Sequence, residues 1–259
     1  MATALITGAS SGIGLEFAKI FAAQKNDLVL IARSANKLTA LADTLKQQYG
    51  VVVHVIAADL SKMNEAQLVY DTCKRQDIHV DYLINNAGFG DFGFFVENDW
   101  TKTEQMIDLN MKSLTKLCYL FIPDMIKRKL GRILNVASTA AFQPGPTMAV
   151  YYATKSYVLF FSEALSNELK GSGVSVTCLC PGATESGFQA AAAMENSALV
   201  KGKKLPTSAE VALFGYKAMM KGKLTVIHGW MNYLMANSIR FTPRAWVLPI
   251  VRKIQGHSD

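Results

Sequence analysis

Cysteine is scarce in this chain of 259 residues, and the four present, Cys73, Cys118, Cys178 and Cys180, form no C-x-x-C pair. The four histidines form no ligand cluster either. No metal site is therefore expected, and free thiols in a reducing cytoplasm are. No basic-then-apolar leader opens the chain, so no secretory signal peptide is expected. Linker-like tracts, low-complexity segments and internal repeats are also lacking. Acidic residues are nearly missing from one region: from Lys201 to Asp259 there are ten Lys or Arg and two Asp or Glu. That segment carries +8 of a net +7, which leaves −1 for the rest. The balance fits a solvated surface with a bias, an anionic substrate, or an acidic membrane surface near the C-terminal part. Nucleic acid is not an expected partner, because no recognised binding module accompanies the charge. What the chain has in quantity is apolar sequence, 50% of its residues, enough at this length for the full core of one α/β domain.

The apolar sequence is organised around Thr7-Gly8-Ala9-Ser10-Ser11-Gly12-Ile13-Gly14. The run Ala4-Leu5-Ile6 precedes it, and Ile13, Phe17, Ile20 and Phe21 follow at helical spacing, so the order is strand, tight turn, helix. A helix N-terminus offers unpaired N–H groups and a partial positive charge. Gly8 permits the sharp turn, while Gly12 and Gly14 remove side chains where a pyrophosphate and the adjacent strand come close. Gly8, Ser10, Ser11, Gly12, Ile13 and Gly14 thus form the expected cradle of a dinucleotide. Gly8-Ala9-Ser10-Ser11-Gly12 also fits G-x-S-x-G, the hydrolase nucleophile elbow, but that elbow needs several strands upstream, and only a handful of residues precede this one. A phosphate-binding P-loop would end in Gly-Lys-Ser/Thr, and this turn ends in Gly12-Ile13-Gly14.

Asp27 to Ala32 is the expected second strand. It leads into Ala32-Arg33-Ser34, with no carboxylate where an acidic side chain would accept from a ribose 2′-OH. Arg33 would suit a 2′-phosphate, so NADP(H) is the favoured cofactor, with NAD(H) still possible. Leu38, Leu41 and Leu45 give the next helix its stripe, and Gly50 ends it. Val51 to Ala57 is a third strand. Asp59-Leu60 beyond it lies at the ligand edge of a parallel sheet, where the carboxylate could meet the adenine amino group or cap the next helix. Asn64 and Gln67 resemble a capping box. Asp81-Tyr82-Leu83-Ile84 is a strand that breaks into Asn85-Asn86-Ala87-Gly88, a crevice edge at which Asn side chains can bond neighbouring backbone. Core packing accounts for most of the aromatic run Phe89 to Phe95, and one or two of its rings could line an apolar pocket. A single helical stretch spans Thr103 to Lys129 and contains Asn110, a residue usually solvent-facing in such a place, and Pro123, a candidate kink. Gly131 to Val136 is a strand that ends in Ala137-Ser138-Thr139.

Tyr151 and Lys155 are four residues apart on the next expected helix, on a face that overlaps the stripe of Val158, Phe161, Leu165 and Leu169. A Tyr and a Lys directed inward need a reason. One is catalysis, in which an ammonium favours the phenolate of a residue whose free pKa is near 10. The other is a snorkelling Lys beside a core Tyr.

Together these features resemble the short-chain dehydrogenase/reductase family. The resemblance rests on Thr7-Gly8-x3-Gly12-x-Gly14, Asp59, Asn85-Asn86-Ala87-Gly88, Asn110, Ser138, Tyr151-x3-Lys155 and Pro181-Gly182, in the family's order. It implies a Rossmann-type, doubly wound, seven-stranded parallel sheet in a homodimer or homotetramer. It also implies that Tyr151 exchanges the proton, Ser138 orients the substrate oxygen, Lys155 lowers the Tyr151 pKa and holds the nicotinamide ribose, and Asn110 keeps a water in the proton relay. Leu60, Asn86, Ala87 and Gly88 would lie along the cofactor. Pro181, Gly182 and Thr184 would pass the nicotinamide, with Thr184 or Ser186 bonding its carboxamide. Tyr152 is an alternative to Tyr151 on geometry alone.

The implied activity is NADP(H)-dependent interconversion of a carbonyl and a secondary alcohol, on a hydrophobic or acyl-type substrate. The alternative is a non-catalytic NADP(H) sensor that kept the fold. The expected organisation is one domain over residues 1–229, with a substrate lid at about 186–206, and a C-terminal helical extension over 230–259. The lid is rich in alanine, carries Phe188 and Met194, and ends in Lys201, Lys203 and Lys204, which suits a hydrophobic substrate with a negative group. In the extension, Leu224 to Ile239 has no formal charge but is shorter than the roughly 20 residues of a span. Arg240, Arg244, Arg252 and Lys253 then alternate with Trp246 and aliphatic residues. Covering the substrate mouth, packing on the parent domain, an oligomer interface and peripheral membrane contact all fit that pattern.

Overall fold

The apolar runs expected as strands are buried on both faces, which a parallel sheet covered by helices on each side requires. A computed structural model describes residues 1–188 and 204–255. Among the described residues the strands are β1 (Thr3–Thr7), β2 (Asp27–Ala32), β3 (Val53–Ala57), β4 (Tyr82–Asn85), β5 (Gly131–Val136), β6 (Val174–Cys180) and β7 (Thr225–Ile227). They form one parallel sheet in the order β3-β2-β1-β4-β5-β6-β7. The chain runs outward from β1 to β3 and then returns to place β4 on the other side of β1. The sheet therefore reverses between β1 and β4, and a crevice opens at the carboxyl ends of those two strands.

Parallel neighbours need long crossovers, and helices supply them. One face of the sheet is covered by α1 (Gly12–Ala23), α2 (Ala35–Tyr49) and, from the far end of the chain, α7 (Ser208–Met220). Phe17, Phe21, Leu38 and Met219 meet Ile6, Leu30, Leu134 and Leu179 there. On the other face lie α3 (Glu65–Arg75), α5 (Leu114–Arg128) and α6 (Ala149–Glu168), where Val69, Phe121 and Val158 meet Leu5, Ile31, Leu83 and Ile133. Leu5 and Ile6 serve opposite faces because side chains alternate along a strand. A third cluster of Met106, Met148, Tyr151 and Tyr152, backed by Phe89 and Phe188, stands at the carboxyl end of the sheet.

Several expectations change on contact with the fold. The expected helix over Thr103–Lys129 is three pieces: α4 (Trp100–Ile107), a π-helical turn at Asp108–Ser113, and α5. Asn110 sits in the π-helical turn and is buried rather than solvent-facing. Helix α3 starts after Asn64 as expected, but Asn64 has φ +68° and no side-chain capping bond, and Gln67 bonds Asp71 instead. Asp59 caps no helix; its Oδ1 accepts from Ser61 N and Oγ. Phe94 and Phe95 are exposed rather than core. Strand β3 begins two residues later than expected. Beyond β7 the chain forms α8 (Trp230–Ser238) and α9 (Arg244–Gln255). Most of the expected lid, with Met194, Lys201 and Lys203, lies outside the described residues.

Candidate active site

The crevice is built from the two turns that leave β1 and β4. Thr7 ties them together: its Oγ1 donates to Ile84 O at 3.3 Å and accepts from Asn86 N at 3.0 Å and Ala87 N at 2.9 Å. Asn86 Nδ2 returns a bond to Thr7 O at 2.9 Å and reaches Gly8 O at 3.4 Å, so it bonds neighbouring backbone as its sequence context suggests. Gly8 turns with φ +68°, a conformation that favours glycine. A Cβ on Gly14 would stand 2.3 Å from Gly8 O, so the third glycine serves the close packing of helix against turn. At the start of α1 the Ser11 side chain makes no capping bond and the first turn carries no acid. Its N–H donors are left for an anion.

A cavity of about 930 Å³ runs from this turn across the sheet edge. Gly8, Ser10, Ser11, Gly12 and Ile13 line it, as do Arg33, Asp59 and Leu60. Asn86, Ala87 and Gly88 follow, then Ser138, Tyr151 and Lys155, and finally Pro181, Gly182, Thr184 and Ser186. Two expected residues stand behind the wall. Gly14 is under the turn. Asn110 holds the backbone of Phe89, with Oδ1 accepting from Phe89 N at 3.2 Å and Nδ2 donating to Phe89 O at 2.9 Å and Thr154 Oγ1 at 3.0 Å. With three bonds made, its side chain is a clamp on the wall.

The residues of the reacting end come from β5 and α6. Ser138 leaves β5 in extended backbone, and its Oγ accepts from Ala140 N at 3.1 Å. Tyr151, buried in the first turn of α6, shares a hydrogen bond with Ser138. One turn on, Lys155 is also buried, donates to Val136 O at 2.8 Å, and lies 5.8 Å from the Tyr151 ring centroid. Burial acts on both groups. Burial raises the Tyr151 pKa, the Ser138 bond opposes that, and Tyr152 adds to the rise. Burial also lowers Lys155 to about 8, partly offset by the nearby Cys178 and Cys180 thiols. The Lys155 ammonium bonds the Val136 carbonyl and stands over the Tyr151 ring. Tyr152 lines the same cavity from the neighbouring position.

Beyond the expected residues, the cavity has an apolar outer part. Phe89, Leu109 and Met148 form one side, with Gln143 beside them, and Phe188, Leu205 and Pro206 another. The C-terminal extension closes it with Met235, Ala236 and Ile239 from α8 and its exit, and Val247, Ile250 and Val251 from α9. Val247 and Val251 are buried and four apart, a helical stripe visible in sequence but masked there by the apolar residues between them. Asn232 packs against Gly182, where a Cβ would come within 2.5 Å of its Nδ2. Of the roles open to the extension, packing on the parent domain and covering the cavity mouth are thus both realised.

The model of the family described as short chain dehydrogenase matches residues 2–197. The very-long-chain 3-oxoacyl-CoA reductase of Anas platyrhynchos is 35% identical over 186 residues, 70% of this chain and 59% of that protein. The chain thus spans about three fifths of the length of that curated relative. A short-chain dehydrogenase from Sphingobium yanoikuyae, solved in complex with NADPH, superposes with a TM-score of 0.83 at 34% identity, over 93% of this chain and 94% of that one. The bulky-bulky ketone specific alcohol dehydrogenase of Comamonas testosteroni gives 0.79 at 29% identity, over 100% and 97%.

Proposed function

The chain belongs to the short-chain dehydrogenase family, and from that premise we propose that it is an NADP(H)-dependent oxidoreductase reducing the ketone of a hydrophobic 3-oxoacyl substrate. One observation carries the reading: the hydrogen-bonded Ser138–Tyr151 pair with Lys155 behind it, at the far end of a cavity that begins in the glycine turn.

Bound along that cavity, NADPH would supply the hydride to the carbonyl carbon. The uncapped start of α1 would hold its pyrophosphate. Arg33, exposed beside Ser10 and Ser34 on the cavity wall, suits a 2′-phosphate, and no carboxylate stands at Ala32 or Arg33 to oppose one. NAD(H) lacks that phosphate and would bind more weakly. Asp59 has given one oxygen to Ser61 and would offer the other to the adenine amino group. Two protons of Lys155 remain after the bond to Val136 O, enough for ribose hydroxyls.

Ser138 Oγ accepts from Ala140 N and donates its own proton to the Tyr151 oxygen, a donor that a substrate oxygen entering between the two would take over. Tyr151 delivers the proton that completes the alcohol. A phenol whose pKa is raised stays protonated at neutral pH, and an alkoxide forming beside it is a far stronger base. Reduction uses the phenol as proton donor, and oxidation would use the same group as acceptor. The apolar outer cavity suits an acyl chain, as does the name of the Anas platyrhynchos relative. Lys204 at the edge of Leu205 and Pro206 favours a negative group at the mouth.

The reading includes a homodimer or homotetramer, supported by Tyr119 and Phe160 exposed on α5 and α6, and a cytoplasmic location, supported by four buried free thiols. NADPH consumption with a panel of ketones and 3-oxoacyl thioesters tests the activity. Tyr151→Phe is expected to lower kcat about 100- to 10,000-fold. Undiminished turnover in that variant would remove Tyr151 from the chemistry. NADPH binding without turnover on any member of the panel would leave the sensor reading instead.

A further inference from the structure

We infer that the outer surface of the C-terminal extension is a docking face for an anionic membrane, and that it seats the mouth of the cavity against the lipid. The inference does not rest on the proposed reaction. Helices α8 and α9 bury few large side chains and leave many outside. Trp230 is 71% exposed, Phe241 89% and Trp246 64%, with Tyr233, Leu234 and Leu248 also exposed. Soluble surfaces rarely gather apolar side chains this way without a partner.

Three further observations choose the partner. Arg240, Arg244 and Arg252 are exposed among these rings, and tryptophan and arginine together suit the boundary between acyl chains and phosphate headgroups. Residues 211–258 contain no Asp or Glu but seven Lys or Arg. A second copy of the chain would bring the same patch, with its Arg240 and Arg244, across a two-fold axis against like charge. An anionic headgroup layer supplies the missing sign. Finally, Met235 and Ile250 line the cavity and are each 49% exposed, so the patch and the cavity share a rim. No helix among the described residues is long and apolar enough to cross a bilayer, so the contact is peripheral.

The test is co-sedimentation of the full chain with vesicles of phosphatidylcholine, with and without 30% phosphatidylserine. The expected result is binding to the anionic vesicles at least about tenfold above that to neutral ones, weakened by raised salt. A Trp230→Ser/Phe241→Ser/Trp246→Ser variant should lose at least about tenfold of the vesicle partition. Arg240→Gln/Arg244→Gln should lose the preference for phosphatidylserine while keeping the weak neutral binding. None of these five side chains lines the cavity, so NADPH binding by every variant checks that the domain is folded. Equal sedimentation with and without vesicles would overturn the proposal. So would a concentration-dependent dimer that the triple variant abolishes, since the face would then belong to a second copy. Vesicle binding with no reductase turnover would leave the docking face standing and remove only the proposed reaction.

Discussion

Lys155 shows what spacing tells of a residue and what it leaves out. Its four-residue separation from Tyr151 puts both on one helical face, as spacing alone suggests. What spacing does not contain is solvent. Both groups are buried, so each is pushed toward its neutral form, Lys155 to about 8 and Tyr151 upward. The lysine makes a pH prediction. Between its folded pKa of about 8 and the ordinary 10.5 the unfolded chain binds the extra proton, so this group's contribution makes stability rise with pH across that window. The full span is on the order of 3 kcal/mol. Urea unfolding at pH 8 and pH 10 should show a smaller rise in Lys155→Met than in wild type; identical slopes would mean that the amine is hydrated in the folded protein. Asn110 makes the converse point. Its buried position is invisible in a composition that normally places asparagine outside. Asn110→Leu strands Phe89 N and O, while Thr154 Oγ1 keeps its bond to Tyr151 O, and is expected to cost roughly 2–4 kcal/mol in denaturant unfolding, with a higher KM because the Phe89 wall loosens.

At the level of elements, β2 and β5 have the bounds that apolar runs and their flanks dictate, because a strand buried on both faces leaves little freedom. The broken helix around Asn110 is another matter. A π-helical turn inserts one residue into a continuous periodic pattern, and only the demand of a distant wall, the Phe89 backbone, selects it. Capping signatures divide the same way. Thr207 and Glu210 make both bonds of a capping box at the start of α7, and that signature stands in the sequence. The similar Asn64 and Gln67 make neither, since Asn64 is already left-handed. For the glycine turn the structure predicts unequal glycines. Gly14→Ala puts a methyl group into Gly8 O, and NADPH affinity measured by fluorescence titration should fall at least about tenfold with a loss of stability. Gly50→Ala meets nothing but keeps φ +68°, and is expected to cost about 1 kcal/mol with NADPH affinity unchanged.

For the molecule as a whole, topology decides most of what the sequence motifs mean. Reversal of the sheet between β1 and β4 collects the glycine turn, Asn86, Ser138 and the Pro181 loop at one edge, though they lie far apart in the chain. The extension is where sequence reading stops short, because its buried stripe of Val247 and Val251 is narrow and its neighbours are equally apolar. Shortening the chain after Ser238 removes Val247, Ile250 and Val251 from the cavity wall. Turnover of a short 3-oxoacyl thioester should then stay within about twofold, while KM for a long-chain one rises roughly tenfold or more, because several buried methylenes lose their contacts. Equal losses on both substrates would mean that the extension supports the reacting end rather than the chain.

The seating of Asn232 on Gly182 has a consequence at a distance. The loop that would meet the nicotinamide and the first helix of the extension share a close contact, since a Cβ on Gly182 would press into the Asn232 amide, which donates to His228 O. Ligand arrival at Pro181–Thr184 should therefore slow amide hydrogen exchange across Trp230–Ser238, on a helix that no dinucleotide motif includes. The occupancy of one end of the molecule would become audible at the other.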